Sequence, residues 1–415
     1  MTIATPSQTS LFSEAPDWAD MTGWHETVGR IRRETPILRC EPEGFQPFWV
    51  LTRHADVFAV SRDSKTWENT SRVVLGPQPT PEEEIQFAAF TPASLVQLDG
   101  DDHIKHRQVT SNWFKPAAVK TRQPRIDELA DEFIEKMRSL GGTCDFAMDI
   151  AQPYTLRVIM DIYGVPPEDE PLMLSLTQGI FGSNDPEYLG DGDDPGALVL
   201  ASVMQFFQYF NEMTADRRAC PADDLASVIA NGEVDGAPLA DDRRLWYYII
   251  VATAGHDTTS FALSGGMEAL AHQPDQLRAL RDPALVNNAT DECIRWTTPV
   301  RHFLRYATTD VQVGGVDIPS GDRVLLSYPS ANRDEAVFEN PDVFDIHRPD
   351  ADRLLSFGVG SHFCLGSQFA RRELRTMLGR LGAELDHVEL AGDPEWAEGH
   401  FVSGVKHLPI EYSFR

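Results

Sequence analysis

The ten residues Phe357-Gly-Val-Gly-Ser-His-Phe-Cys-Leu-Gly366 constrain this chain more than any other stretch. One cysteine, Cys364, is framed by Gly358 and Gly360 before it and Gly366 after it. His362 stands two residues ahead, and a helix-like run, Ser367-Gln-Phe-Ala-Arg-Arg-Glu-Leu, follows. Without a Cβ, the glycines let the backbone turn sharply and lie close against a flat partner. At the mouth of a helix, Cys364 is expected to feel backbone amides and a helix dipole that lower a thiol pKa and favour the thiolate.

A second pattern lies upstream. Capping residues Asp241-Asp242 open a helical stretch that runs to Pro274. At about 1.5 Å per residue this is a rod of roughly 45 Å. Its middle reads Ala252-Thr-Ala254-Gly255-His-Asp257-Thr258-Thr-Ser260, where a glycine beside hydroxyl residues invites a bend. Further on, Glu292 and Arg295 are three apart on one helix face and can pair. Taken singly, Asp-Thr also serves as a cap or a solvated face, and Glu-x-x-Arg is common on surface helices.

Together, in this order and with Thr258 106 residues before Cys364, these motifs resemble the cytochrome P450 family, whose cysteine-ligated haem sits on a Phe-x-x-Gly-x-x-x-Cys-x-Gly loop. The resemblance runs from about Trp49 to Ile410. It implies a mainly α, triangular fold with a small β-rich lobe, as one domain over residues 1–415 whose first 40 residues are a poorly defined polar segment. It implies haem b with Cys364 as iron ligand in a loop begun by Phe357 and Gly358, and propionates met by His103, Arg107, Arg305 and His362. Dioxygen is the co-substrate. Thr258 would supply a hydroxyl near it, Asp257 an acid relaying protons from solvent, and Gly255 and Ala254 the room beside them. Glu292, Arg295 and Arg348 would form a structural network behind the haem. The substrate pocket would draw on Phe90, Ile250, Thr253, Ala254, Thr258, Val300, Phe303, Phe401 and Val402, each of which reads equally as ordinary core. The family often shows Asp-Pro-Pro before the histidine at 103; here Asp99-Gly-Asp-Asp stands instead.

Several runs, among them Glu170-Pro-Leu-Met-Leu and Leu326-Ser-Tyr-Pro-Ser-Ala-Asn-Arg-Asp, are closest to the soluble bacterial, ferredoxin-dependent subgroup typified by the α-terpineol hydroxylase. The implied activity is hydroxylation of a small hydrophobic substrate, a monoterpene or an alkylaromatic such as p-cymene. A haem–thiolate peroxygenase or non-oxidative haem enzyme needs no relay pair, and a haem-based sensor would leave a substrate-sized pocket unexplained.

Composition sets limits. At 415 residues the chain exceeds the usual size of one core, although a large cofactor can serve as a shared one. Five scattered cysteines (40, 144, 220, 293 and 364) without a CxxC pair suit a reducing, cytoplasmic setting. Residues 1–20 are polar and broken by Pro6 and Pro16, with no signal peptide or anchor expected. A net charge of −28 argues against nucleic acid and anionic membranes as partners. No flavin or iron–sulfur motif is present, so electrons are expected from a [2Fe–2S] ferredoxin with its NAD(P)H ferredoxin reductase, docking a monomer at Arg371, Arg372 and Arg375. Locally, residues 48–51 read as a strand followed by a helix start, 123–139 as a helix, and 74–91, 183–195 and 232–238 as loops. Residues 310–326 read as hairpins turning at Gly314-Gly315 and at Pro319-Ser-Gly-Asp.

Overall fold

The computed structural model describes residues 3–14, 21–69, 72–80, 94–182, 185–189 and 194–415. Among them the architecture is helical with small sheets. The helices that build the site are α1 (His54–Arg62), α2 (Gly100–Ser111), α3 (Gln123–Ser139), α4 (Gln152–Tyr163), α5 (Glu170–Phe181), α6 (Pro195–Ala219), α7 (Asp241–Ala254), α8 (Asp257–Ala271), α9 (Val286–Thr297) and α10 (Ser367–Glu384). Helix α3 keeps the bounds its pattern predicts. Ile126, Leu129, Ala130, Ile134 and Met137 recur at helical spacing and are buried, facing α10 and α4.

The expected 45 Å rod is two helices. α7 ends at Ala254 and α8 begins at Asp257. The Thr258 hydroxyl donates to the Ala254 carbonyl at 2.9 Å, a back-bond from the first turn of α8 to the last residue of α7. A Cβ at Gly255 would stand 3.1 Å from Ile159 Cδ1, so α4 packs directly against the interruption. The competition between hydroxyl and helix that the sequence signals therefore goes further than a bend.

The β-rich part holds a five-stranded sheet among the described residues. Its strands are β1 (Ile37–Cys40), β2 (Phe48–Leu51), β3 (Trp67–Glu68), β4 (His302–Ala307) and β5 (Arg323–Ser327), in the order β1-β2-β5-β4-β3. β2 and β5 run parallel and the other pairs antiparallel. β2 is buried at every position, as its unbroken apolar run requires. The hairpin Val311–Val313 with Val316–Ile318 turns at Gly314 and Gly315, both at positive φ (54° and 83°).

Among the described residues of the first 40 stand helices Pro6–Ser13 and Met21–Glu34, the second with Trp24, Val28 and Ile31 buried on one face. One expectation is corrected: residues 232–238 are not a plain loop but a two-residue hairpin through Asp235 and Gly236, both at positive φ. Residues 81–91 of the early loop, and 183–184 and 190–193 of the acidic one, lie outside the described residues. No helix among the described residues is long and apolar enough to cross a membrane.

Candidate active site

The cysteine loop is clamped onto α1. Gly360, at φ 79°, lies so close that a Cβ would stand 2.9 Å from the Ser61 carbonyl oxygen and from Arg62 Cα. The Ser61 hydroxyl donates to the Val359 carbonyl at 3.2 Å. The loop closes on itself where the Cys364 amide donates to Phe357 O at 2.8 Å, and α10 opens three residues later. Gly358 is left-handed at φ 64°, and a Cβ at Gly366 would meet nothing within 4 Å, which leaves open space beside the cysteine. The expected lowering of the thiol pKa is overturned in direction. Burial pushes the Cys364 thiol up, outweighing the Gly366 and Ser367 amides and the Arg107 and Arg371 charges that pull it down. A metal ion at the sulfur removes that proton outright.

Behind the loop stands a fully buried ion network. Arg295 is bidentate on Glu292, Nε to Oε2 at 2.7 Å and Nη2 to Oε1 at 2.8 Å, and Arg348 Nε reaches Oε2 at 3.1 Å. The Asp345 amide donates to Glu292 Oε1, so the carboxylate is saturated. Arg295 Nη1 then donates to the Asn332 carbonyl at 2.8 Å. The Asn332 side chain accepts from the Leu355 amide at 2.7 Å and donates to the Ser356 hydroxyl at 2.8 Å. Glu292, Arg295 and Arg348 thus meet as expected. Asn332, which carries their hold to the residue before Phe357, carries no signal in sequence because its partners come from segments 23 to 37 residues away.

Near the loop lie basic side chains, two of them guanidinium groups without a matching carboxylate among the described residues. Arg305 on β4 is 4 % exposed and donates from Nη1 only to its neighbour's carbonyl, and no carboxylate pairs with it among the described residues. His103 on α2 is 2 % exposed and stacks on His362 with centroids 4.1 Å apart; burial first and then His362 push its pKa down to about 4. Arg107, one turn along, donates to the Phe363 carbonyl. His362 has both ring nitrogens in contact with the protein, Nδ1 with Asn69 at 3.2 Å and Nε2 with Asp99 at 3.4 Å. A buried unpaired guanidinium, a second beside the cysteine and a stacked imidazole are a donor set for paired carboxylates. Together with the space beside Gly366, this donor set fits a haem and its two propionates.

The helix break leaves one residue uncovered. Ala254 is exposed in the middle of the protein's central helical run, with Ile250, Gly255 and Thr258 half-buried beside it. Thr253 and Val402 are packed away, 1 % and 6 % exposed, the Thr253 hydroxyl turned back to Ile249 O. Those two are wall rather than lining. Val300 bridges Val402 across a strand contact, and Phe303 meets Phe401 edge to face at 5.3 Å. Phe181, at the end of α5, joins Phe401 at 6.2 Å and was not among the sequence candidates, because nothing local ties it to a segment 220 residues on. Phe90 lies outside the described residues. Of the three arginines expected at a docking surface, Arg371 is committed inward, paired with Asp291 at 2.6 Å and lying over the Phe357 ring at 4.6 Å.

The cytochrome P450 family model matches residues 199–381. Over 394 residues the chain is 39 % identical to a Pseudomonas sp. protein described as cytochrome P450-terp, covering 92 % of each. It is 33 % identical to a steroid C26-monooxygenase of Rhodococcus jostii (strain RHA1), covering 97 % of this chain and 84 % of that one. Among solved structures, CYP108D1 from Novosphingobium aromaticivorans superposes with a TM-score of 0.91 at 37 % identity over the full length of both chains.

Proposed function

The chain belongs to the cytochrome P450 family, a haem-b monooxygenase using dioxygen, and from that premise we propose that it hydroxylates a compact terpenoid or alkylaromatic, with Cys364 as the iron ligand and electrons from a [2Fe–2S] ferredoxin. The observation that carries the site assignment is the clamped, glycine-framed Cys364 loop with Arg107 bonded to its Phe363 carbonyl and His103 stacked on its His362. When bound, haem supplies the activation of dioxygen and the oxidation of the substrate in RH + O2 + 2e− + 2H+ → ROH + H2O.

The protein's own residues do the rest. Cys364 would hold the haem iron through its thiolate, and Arg305, Arg107 and His103 would meet the propionates. Thr258, its hydroxyl donating to Ala254 O at 2.9 Å, would hold a proton at Oγ1 for dioxygen, and Asp257 would resupply it from solvent through its carboxyl. Phe303, Phe401 and Ile250 exclude water and hold the substrate by burial, at about 25 cal/mol per Å2 of apolar surface. Such walls with few polar groups support a molecule of roughly ten carbons. The 39 % identity to cytochrome P450-terp favours a terpenoid over the steroid suggested by the more distant relative.

The carbon-monoxide adduct of the reduced protein should show the red-shifted Soret band of thiolate ligation, and Cys364→Ser should lose that band or the haem. A Cys364→Ser protein that kept it would remove the assignment. In optical titrations of the wild type, α-terpineol, limonene and p-cymene should convert the iron to high spin, and steroids and long-chain acids should do so poorly; the reverse order would overturn the substrate class and leave the haem assignment intact.

A further inference from the structure

His256 takes no part in that chemistry, yet it is the most completely enclosed polar side chain at the helix break. It is 0 % exposed, and neither ring nitrogen has a hydrogen-bond partner among the described residues. Burying an imidazole with both nitrogens unbonded costs about 1–3 kcal/mol, so a neutral filler such as leucine would be more stable here. Its Nδ1 nonetheless stands 2.9 Å from Oδ1 of Asp257, a contact that has the distance of a hydrogen bond without its alignment. The side chain of Asp257 keeps 10 % exposure, against none for the imidazole, so of the pair only the carboxylate reaches an uncovered surface.

The backbone fixes this arrangement. The His256 carbonyl accepts from the Ser260 amide at 3.1 Å, the first turn of α8, and from the Thr155 hydroxyl on α4 at 3.4 Å. Ile159 fills the Gly255 side of the break. With the main chain pinned on both helices, the freedom left to His256 and Asp257 is rotation of their side chains. Tyr188 is a second titratable group near the carboxylate; burial and then the charges of Glu187, Asp257 and Asp185 push its phenol up. Asp257 is therefore flanked by a ring that can donate a hydrogen bond to it and by a phenol that senses its charge.

We propose that His256 is a positioning residue for oxygen chemistry: its Nδ1–H donates to Asp257 Oδ1 and turns the other carboxyl oxygen toward Thr258. The proton stays on Nδ1, no bond is made or broken at the ring, and the contact tightens into alignment when substrate fills the space, as hydrogen bonds of catalytic groups do on complex formation. This rests on the monooxygenase reading and deepens it.

The test is a double-mutant cycle on the holoenzyme with α-terpineol as probe, reading product formed per NADH consumed and peroxide released. His256→Phe should keep the thiolate CO band and the substrate spin shift but lower coupled product formation about tenfold, with peroxide rising. In an Asp257→Asn background the same change should cost less than about twofold, because its target is gone. His256→Gln, whose amide can donate, should recover most of the loss. Separately, ring-labelled histidine NMR of the ferrous CO form should show one imidazole resonance moving in Asp257→Asn. Equal losses in both backgrounds, no rescue by glutamine, or an unmoved resonance would make His256 a structural residue and end the proposal. Absence of product in the wild type would instead strike the monooxygenase reading itself.

Discussion

Gly360 shows how one residue ties the cysteine loop to the rest of the molecule. Its φ of 79° disfavours any side chain, and a Cβ placed there would come within 2.9 Å of the Ser61 carbonyl oxygen, which leaves no room for a methyl even if that strain is accepted. Gly360→Ala should therefore push Val359 and the loop off α1, weakening the 3.2 Å bond from Ser61 to Val359 O. The expected result is a loss of about 2–3 kcal/mol in urea denaturation together with lowered haem retention, while Gly366→Ala, with nothing within 4 Å of its Cβ position, should fold normally and act only on cofactor fit. Both glycines are visible in sequence as a spaced pattern, but the sequence does not separate them. One is required by contact with α1, 298 residues earlier in the chain, and the other has open space where its Cβ would stand. The same limit hides Asn69 and Asp99, which hold the His362 ring from segments some 260 to 290 residues earlier.

At the level of elements, the sequence locates α3 to the residue and the Gly314-Gly315 hairpin in full, because periodicity and turn chemistry are local. It misjudges the central rod, because whether a hydroxyl merely bends a helix or divides it depends on what packs beside it, here Ile159 of α4. Further along α8, Glu268 illustrates a cost set wholly by tertiary burial. Burial alone pushes its carboxyl up from 4.5 to about 7. A raised carboxyl pKa favours the protonated folded state, so between these two values the native protein holds a proton that the unfolded chain has released. Stability should fall as pH rises through that window and level off above it. Glu268→Gln should remove this slope and, near pH 8, be more stable than wild type by on the order of 2–3 kcal/mol, with little difference near pH 4.5. Urea midpoints of both proteins across this range would show it; parallel curves would mean that Glu268 is ionised in the native state.

Across the whole molecule, a net charge of −28 raises the question of how an acidic electron donor approaches. Like charges repel over about 10 Å at ordinary ionic strength, so productive docking needs a local basic region with a short, desolvated path to the iron. The cysteine side of the protein offers Phe363, 36 % exposed and adjacent to Cys364, as an apolar centre. Of the arginines on the first turns of α10, Arg371 is consumed by Asp291 and Phe357, and Arg375 is half-buried with its Nε unbonded. Arg372 has no ion pair among the described residues and so carries most of the charge available to a partner. Arg372→Glu should then slow reduction by a [2Fe–2S] ferredoxin about tenfold at low salt, where the two-charge reversal acts at full strength, and much less at high salt, where the wild-type rate should itself have fallen. Arg371→Glu should differ in kind, lowering stability by releasing Asp291 and the Phe357 ring before it affects docking. Stopped-flow reduction of both variants against ionic strength separates these roles; a salt-independent wild-type rate with Arg372→Glu harmless would place electron entry on another face.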